Sequence, residues 1–424
     1  MREEFLHFIW LYQLFDHSRL KTDEGEVLLI LQPGMHNTHS GPDFSEARIR
    51  IGENIWVGHV EIHTKSSDWY AHNHHLDNAY KNVVLHVVYE DESPNREKEK
   101  PNIPVFNLKG RVDLRKYLQW QKLVNRPDWI PCKSSFHEVP EIVKLQAIER
   151  MAVERLERKT KEVNQILDQH QGHWEQTLLI MLCRSLGAKV NSEPFQVLAE
   201  LLPFNMIKKL KDKKSSIEAI LFGIAGFLKD PSSDKYYMKL FEEYNFLKHK
   251  YSFKEMNIAQ WKFMRMRPAN FPSLRIAQLA VIPDQWDQLT EQLFYQSSAN
   301  KLTEILQRPV NLYWKTHFRF NKSTKEKSDR MGLTMVNNII INTFVPFLYA
   351  YGKAHGNEEQ QESALETLQQ TKVEKNNIIS GWKALDLKPE NAFETQGLIE
   401  LKNEYCAFKK CLTCKIGVWM LNQA

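Results

Sequence analysis

The first sixty-five residues carry hydrophobic patterns that predict one helix followed by three strands. Met1–Asp16 places apolar residues at helical spacing, and Glu26–Gln32 is a short apolar run that suits a central strand. Residues 43–51 alternate between apolar and polar positions, a Gly-Glu-Asn turn follows, and residues 55–63 read as a second strand of a hairpin.

Further elements close this N-terminal pattern. Asp68–Lys81 is compatible with a helix capped by Asp68, and Asn82–Tyr89 is a β-branched run typical of a strand. The predicted order is therefore helix, three strands, helix, strand. Val105–Leu108 is expected to add an edge strand before another helix at Arg115–Leu123.

The character of the chain changes after a stretch that contains three prolines, residues 126–140. From Glu141 onward long amphipathic segments follow one another, and strand-like alternation is almost absent. The sequence therefore predicts an α/β core followed by a larger, mainly α-helical domain. The expected divisions are an α/β domain at 1–125, a linker at 126–140, a helical domain at 141–400 and a cysteine-containing segment at 401–424.

Composition and charge narrow the class of protein. With 42% hydrophobic and 26% charged residues, no apolar run near 18 residues and no signal peptide, we expect a soluble cytoplasmic protein without a membrane span. Residues 1–92 hold 7 Lys and Arg against 15 Asp and Glu, a net charge of −8, whereas the remainder carries +13. An acidic first domain suits a cation site. The basic remainder is compatible with nucleic acid or with ordinary solvated helices.

The predicted hairpin brings acidic and basic side chains onto one face. Side chains on a strand repeat every two residues, so Glu61, His63 and Lys65 share a face, and the hairpin can carry Asp43 beside Glu61. Two convergent carboxylates with a nearby base are suited to Mg²⁺ or Mn²⁺.

The element order, with Pro-Asp on the second strand and Glu-x-His on the third, resembles the PD-(D/E)XK nuclease core over about residues 1–92. The resemblance implies a restriction-endonuclease-like fold, with Asp43 and Glu61 as metal ligands and Glu4, or Glu3, as the acidic residue of the first helix. His63 occupies the place of the lysine of that family, and Lys65 could reach in from the same face. The chain also resembles a bacterial family described only as a domain of unknown function.

The function predicted from these features is a metal-dependent nuclease that hydrolyses phosphodiester bonds of DNA or RNA. One alternative is a nucleic-acid- or protein-binding module on a degenerate nuclease scaffold, which the replaced lysine favours. Another alternative is a zinc hydrolase that uses the N-terminal histidines. Its candidate ligands are His59, His63, His72, His74 and His75.

Basic residues among aromatic ones offer candidate contacts to nucleic acid in the helical domain. Arg265, Arg267 and Arg275 surround two prolines before an amphipathic run, and Arg319 lies in an interleaved aromatic and basic stretch. Helix capping with structural Arg–carboxylate pairs is the alternative for the first three.

The C-terminal segment holds a second possible metal site. Cys406, Cys411 and Cys414 are spaced C-x4-C-x2-C, and Cys132 is the remote candidate for a fourth ligand to zinc or to an iron–sulfur cluster. The alternative is that all five cysteines are free thiols in a reducing compartment.

Overall fold

The structure is a computed structural model that describes residues 1–37, 40–91, 103–202, 204–210, 212–295 and 297–423. The chain divides into two units. The first comprises Met1–Ala147 and Lys402–Ala424, and the second comprises Ile148–Leu401. The C-terminal cysteine segment therefore belongs to the N-terminal unit, and the division falls just after the predicted linker.

The first unit is built on a mixed sheet in which the strand order is β1-β3-β4-β5-β6, with β2 paired to β3. The elements are α1 (Glu3–Leu11), β1 (Leu28–Gln32), β2 (Met35–His36), β3 (Phe44–Ile51), β4 (Asn54–Lys65), α2 (Asp68–Ala71), β5 (Val83–Glu90), β6 (Val105–Asn107) and α3 (Leu114–Asn125). An N-terminal mixed sheet with flanking helices was predicted from the sequence, and it is confirmed.

The hairpin of β3 and β4 is antiparallel, whereas β4 pairs with β5, and β5 with β6, in parallel. Gly58 lies where β4 first meets the chain leading into β5. A Cβ at this position would stand 2.5 Å from the carbonyl oxygen of Asn82, so only glycine permits this approach. Beyond Gly58 the strands settle into a register that places Glu61 beside His86.

The prediction of a helix over Asp68–Lys81 is wrong. The structure has only the single turn α2 and two short 3₁₀ helices, His74–Leu76 and Asn78–Tyr80. Asn73 adopts a left-handed conformation with φ of 59°, which ends the first turn. Trp69 is the one buried residue of α2 and both 3₁₀ helices, so an apolar stripe that would hold a longer helix against the sheet is missing.

The second unit is helical, as predicted. Its helices are the continuation of α4 (Glu141–Gln169), α5 (Trp174–Leu201), α6 (Phe204–Leu210), α7 (Lys214–Ile224), α8 (Lys235–Tyr251), α9 (Pro272–Ala280), α10 (Trp286–Phe294), α11 (Ala299–Leu306), α12 (Leu333–Ile339), α13 (Val345–Ala354), α14 (Glu358–Gln370), α15 (Asn377–Lys383) and α16 (Ala392–Glu400). A small hairpin interrupts them, β7 (His317–Arg319) with β8 (Lys322–Ser323). Helix α5 is interrupted by a kink, where Ala188 and Asn191 have non-helical backbone angles.

Leu333–Ala354 joins α12 and α13 through the π-helical turn Ile340–Phe344. Among the described residues it is the single helix long and apolar enough to cross a membrane by length and composition. However, 67% of its apolar window is buried inside the protein, as expected of a core helix. A buried core helix meets the same criteria of length and composition as a membrane span. These criteria therefore do not test the prediction that the chain has no membrane span.

Candidate functional site

Two hydrogen bonds across the β3–β4 hairpin orient the carboxylates of Asp43 and Glu61. The backbone N–H of Asp43 donates to Oε2 of Glu61 (3.1 Å), and the backbone N–H of Ile62 donates to Oδ2 of Asp43 (2.9 Å). The antiparallel pairing of Phe44 with Val60 sets this geometry, because it places the residue before β3 next to Glu61. The expected pair of convergent carboxylates is therefore present.

Helix α1 presents an imidazole to this pair. His7 Nε2 lies 3.2 Å from Oδ2 of Asp43, and both side chains are mostly buried. His7 was not among the residues predicted from the sequence. The available signal was its place one turn after Glu3, because residues four apart lie on the same face of a helix.

Of the two candidate glutamates of α1, the structure brings Glu3 towards Asp43 and leaves Glu4 at the surface. Glu4 is exposed and pairs with Arg2 at 3.5 Å. Glu3 is half-buried, and its pKa is raised by burial and by the charge of Asp43, against the opposing effect of His7. Because consecutive helical residues point about 100° apart, only one of two adjacent glutamates can face the sheet.

Three further imidazoles gather on the other side of Glu61. The possible ligand atoms of His63, His72 and His74 all lie within 4.8 Å of one another. Nε2 of His74 is 3.2 Å, and Nε2 of His63 is 3.5 Å, from Oε1 of Glu61. Of the alternative zinc ligands, His63, His72 and His74 are thus brought together.

The structure does not bring His59 and His75 into that group. His75 is exposed and contacts Tyr70, with ring centroids 4.9 Å apart. His59 lies at an irregularity in the pairing of β4 with β5, two residues before Glu61. His74 belongs to the histidine group because the 3₁₀ helix that carries it stacks its imidazole on Tyr80, with ring centroids 3.9 Å apart.

His63 is held by a second buried histidine. Nδ1 of His63 and Nε2 of His86 lie 2.9 Å apart, and each residue is only 1% exposed. Burial, and then the neighbouring imidazoles, lower the pKa of His63 to about 2 and that of His86 to about 4. Both rings are therefore neutral at physiological pH. A neutral imidazole that donates from Nδ1 leaves Nε2 as a lone-pair donor on the side of Glu61.

Lys65 does not share the buried environment of His63. It is the last residue of β4, it is exposed, and it stands opposite Glu90 in the parallel pairing with β5. Its charge contributes to lowering the pKa of Glu90, after the larger effect of Lys109. Burial along β4 is continuous from Val60 to His63, and the strand leaves the core before it reaches Lys65.

The electrostatics of the site favour a cation. Glu61 is 4% exposed, and burial followed by the charge of Asp43 raises its pKa to about 8. Burial also lowers the pKa of His74. Glu61 therefore retains its proton at neutral pH unless a positive charge arrives to replace it.

Two buried nitrogens at the site lack hydrogen bonds within the described parts of the chain. They are Nε2 of His7 and Nε2 of His74, although each stands 3.2 Å from a carboxylate oxygen. The two nitrogens are close to these oxygens without the alignment that a hydrogen bond requires. Unpaired imidazole nitrogens beside carboxylate oxygens are donor types that a metal ion could use.

Of the four candidate arginines, Arg275 is not available to a phosphate. It is 6% exposed, and its guanidinium donates to Oε1 of Gln278 (2.8 Å) and Oδ1 of Asn270 (2.7 Å). The amphipathic helix α9 is buried on every side, so its arginine supports internal packing.

The other three arginines are exposed on the second unit. Arg265 and Arg267 precede α9, and Arg265 has φ of 58°. Arg319 lies over the rings of Phe263 and Phe271, at 4.1 and 4.6 Å from their centroids. Those two aromatic rings are therefore occupied by a side chain of the protein itself.

The family model described as a protein of unknown function (DUF2851) matches residues 3–377. No curated protein and no solved structure matches the chain. The expected resemblance to a family of unknown function is thereby confirmed. Since the match extends over most of the sequence, the chain belongs to the family described as protein of unknown function DUF2851.

Proposed function

We propose that this protein is a divalent-metal-dependent hydrolase of phosphodiester bonds in nucleic acid, with Asp43 and Glu61 as its carboxylate ligands. The observation that carries the proposal is the set of unpaired imidazole nitrogens beside the carboxylates. His7 Nε2 and His74 Nε2 each stand 3.2 Å from a carboxylate oxygen without a hydrogen bond. Ligands of one ion at metal–ligand distances near 2.1 Å lie about 3 Å apart and point at the ion, not at each other.

The arrangement of elements supports a nuclease-like centre. Glu3 comes from the first helix, Asp43 immediately precedes β3, the first strand of the hairpin, and Glu61 lies on β4, the second. Three strands are joined in antiparallel fashion, and the chain then crosses over to a parallel β5. This order is similar to the restriction-endonuclease-like core, in which metal ligands occupy the same elements.

The donor set bears on the choice of ion. Carboxylate oxygens suit Mg²⁺ and Mn²⁺, whereas imidazole nitrogens suit Zn²⁺ and the later transition metals. A centre with both kinds of ligand favours Mn²⁺ over Mg²⁺. When bound, such an ion supplies Lewis acidity for a phosphoryl oxygen and lowers the pKa of water.

The residues at the site have distinct roles in holding the ion and positioning its ligands. The hydrogen bonds from the backbone N–H groups of Asp43 and Ile62 fix the orientation of the Glu61 and Asp43 side chains, which reduces the reorganisation needed to hold a cation. His63 is too deeply buried to gain a proton easily, so its role is to hold position through His86. His72 is the exposed member of the histidine group and is accessible to solvent.

The charge of the chain supports a polyanionic substrate. Residues 93–424 carry a net charge of +13, and Arg265 and Arg267 are exposed. Basic side chains of this kind contribute sequence-independent contacts to phosphates. The proposal therefore assigns nucleic acid as the partner and leaves DNA and RNA to be distinguished by assay.

The test is cleavage of labelled single- and double-stranded DNA and RNA with Mg²⁺, Mn²⁺ or Zn²⁺. Asp43→Asn and Glu61→Gln keep the shape of each side chain and are expected to reduce cleavage at least about 100-fold. Glu4→Gln changes an exposed glutamate on α1 and is expected to retain full activity. Wild-type protein that binds nucleic acid but cleaves none of the substrates would replace the proposal with the binding-module alternative.

A zinc-dependent hydrolase is a second candidate, because His63, His72 and His74 form a group within 4.8 Å. Three imidazoles with Glu61 match the ligand types of catalytic zinc sites. Activity supported by Zn²⁺, abolished by His72→Asn and unaffected by Asp43→Asn would favour this candidate over the carboxylate centre.

A further inference from the structure

Four of the five cysteines belong to the first unit, although up to 282 sequence positions separate them. Cys132 lies in a turn just before the 3₁₀ helix Lys133–Glu138. Cys406 ends the π-helical turn Leu401–Cys406, and α17 (Lys415–Asn422) begins immediately after Cys414. Cys411 and Cys414 themselves lie in the irregular segment between those two elements.

The C-terminal segment is attached to the part of the first unit that contains Cys132. Lys402 lies over the ring of Trp129 at 5.4 Å, three residues before Cys132. Lys415 Nζ donates to Oε1 of Gln146 (3.1 Å), and Lys116 Nζ donates to the carbonyl of Leu421 (2.9 Å). These contacts hold both ends of the 406–414 segment against the N-terminal chain.

The turn that carries the cysteines is tightly constrained next to α17. A Cβ on Gly417 would lie 2.1 Å from the carbonyl oxygen of Cys411, so only glycine allows the helix to approach so closely. Cys411 is buried, and the aromatic rings of Tyr405 and Phe408 each have Lys410 beside them. The close approach fixes Cys411 relative to the helix that follows Cys414.

The four thiols form one electrostatic group. The pKa of Cys406 is raised by burial and by the charges of Cys414, Cys132 and Cys411. Burial and Cys414 raise the pKa of Cys132 to about 12. Lys402 acts in the opposite direction on the pKa of Cys406, but its effect is smaller. The fifth cysteine, Cys183 in the core of the second unit, is affected by burial alone.

We propose that these four thiols form a structural zinc site that fastens the C-terminal segment to the N-terminal unit. The ligands are Cys132, Cys406, Cys411 and Cys414. Four thiolates around one Zn²⁺ satisfy its tetrahedral preference and leave no position for substrate, which is typical of structural sites. Zn²⁺ replaces the four thiol protons and removes the repulsion among the thiolates.

Zinc binding requires the sulfur atoms of the four cysteines to be closer together than they are in the structure. The one group of possible ligands within 4.8 Å of one another among the described residues is the histidine group. In a zinc tetrathiolate the sulfurs are about 3.8 Å apart, at Zn–S distances of about 2.3 Å. Because the contact with Gly417 fixes Cys411, the adjustment falls to Cys132, Cys406 and Cys414, which lie in a turn, at the end of a helical turn and in an irregular segment.

The experiment measures zinc in the full-length protein carrying Asp43→Asn, Glu61→Gln and His72→Asn, so that neither the carboxylates nor the histidine group contributes. We expect one zinc per chain, and a loss of at least tenfold in zinc content in Cys132→Ser or Cys414→Ser. Cys183→Ala is the matched control, because this cysteine is buried in the second unit, and it should retain zinc. Replacement of zinc by Co²⁺ should produce the thiolate charge-transfer absorption and strong visible bands of a tetrahedral sulfur site.

The cobalt spectrum keeps the test decisive if a serine variant fails to fold. Zinc content that is unchanged in both serine variants would overturn the proposal, as would a cobalt spectrum without thiolate charge transfer. Brown protein that contains iron and inorganic sulfide would overturn it in favour of an iron–sulfur cluster. None of these results depends on whether the protein cleaves nucleic acid.

Discussion

His63 Nδ1 and His86 Nε2 lie 2.9 Å apart inside the sheet, each ring 1% exposed. One nitrogen donates and the other accepts, so neither ring can be removed without leaving an unpaired buried nitrogen. Because His63 faces Glu61 with its other nitrogen, the pair links the core of the sheet to the candidate metal centre.

Replacing His86 should therefore affect both stability and metal binding. We expect His86→Phe to lower the free energy of unfolding by about 1–3 kcal/mol, the cost of an unsatisfied buried nitrogen. Loss of a partner of this kind is also expected to weaken metal affinity by about 10–100-fold. Chemical denaturation and Mn²⁺ titration measure the two effects. His75→Phe, at an exposed histidine outside the group, should change neither by more than the experimental error.

The two adjacent glutamates of α1 provide a matched pair of variants for measuring Mn²⁺ affinity. Glu3→Gln removes a charge that interacts with Asp43, and we expect about tenfold weaker Mn²⁺ binding, equivalent to about 1.4 kcal/mol. Glu4→Gln removes an exposed charge and should leave the affinity unchanged. Equal effects of both variants on Mn²⁺ affinity would show that long-range charge, not a position at the site, is responsible.

The imidazole nitrogens should determine which metal is preferred. His74→Asn replaces a nitrogen donor with an oxygen donor next to Glu61. We expect Zn²⁺ affinity to fall at least about tenfold while Mg²⁺ affinity changes little, because imidazole suits zinc and oxygen suits magnesium. Competition titrations with the two ions measure this ratio. A parallel loss of both affinities would mean that the variant disrupts the site as a whole.

The second unit should show a pH-dependent stability that derives from Glu400. Burial acts to raise the pKa of Glu400, but hydrogen bonds from Arg158 and the charges of Arg158 and Arg155 outweigh it and lower the pKa. A carboxyl with a lowered pKa stabilises the fold above its ordinary pKa, and the contribution is lost as the pH falls through the pKa of the folded state.

We therefore expect Glu400→Gln to destabilise the protein by roughly 3 kcal/mol at pH 7, and by less as the pH falls below the ordinary pKa of glutamate. Denaturation at a series of pH values measures the difference. Glu162→Gln is the control, because Glu162 is an exposed partner of the same Arg158 and should contribute less than about 1 kcal/mol. A difference for Glu400→Gln that persists undiminished at acid pH would contradict the assignment.

The arginines should separate into structural and surface roles. Arg275→Met leaves the amides of Gln278 and Asn270 without their donor and should destabilise the protein by about 1–3 kcal/mol. Arg267→Gln changes an exposed residue and should weaken nucleic-acid binding without affecting stability. Fluorescence anisotropy at several salt concentrations, with thermal unfolding in parallel, distinguishes the two. Unchanged affinity in Arg267→Gln would place the nucleic-acid contacts elsewhere.

The carboxylate pair could be predicted because it depends on local rules. The period of two along β4 places Glu61 and His63 on one face, and a turn at Gly52 returns the chain past Asp43. The choice between Glu3 and Glu4 could not be predicted, since both fit the same helix. Only the position of the sheet relative to α1 decides which of them faces Asp43.

The histidine group depends on irregular structure that hydrophobic periodicity does not encode. Asn73 breaks the helix predicted over Asp68–Lys81, and the resulting 3₁₀ turn delivers His74 to Glu61. Likewise, the return of the C-terminal segment towards Cys132 rests on contacts between distant parts of the chain. Sequence spacing identified the candidates, whereas long-range packing determined which of them meet.

We propose that carboxylates and imidazoles hold one divalent ion together, and pulsed electron paramagnetic resonance of bound Mn²⁺ detects both kinds of ligand. We predict one tightly bound Mn²⁺ per chain with nitrogen couplings from imidazole. The binding should be lost in Asp43→Asn and in Glu61→Gln, and retained in Glu4→Gln. Mn²⁺ that binds equally well in all three variants, or that shows no nitrogen coupling in the wild type, would contradict the account.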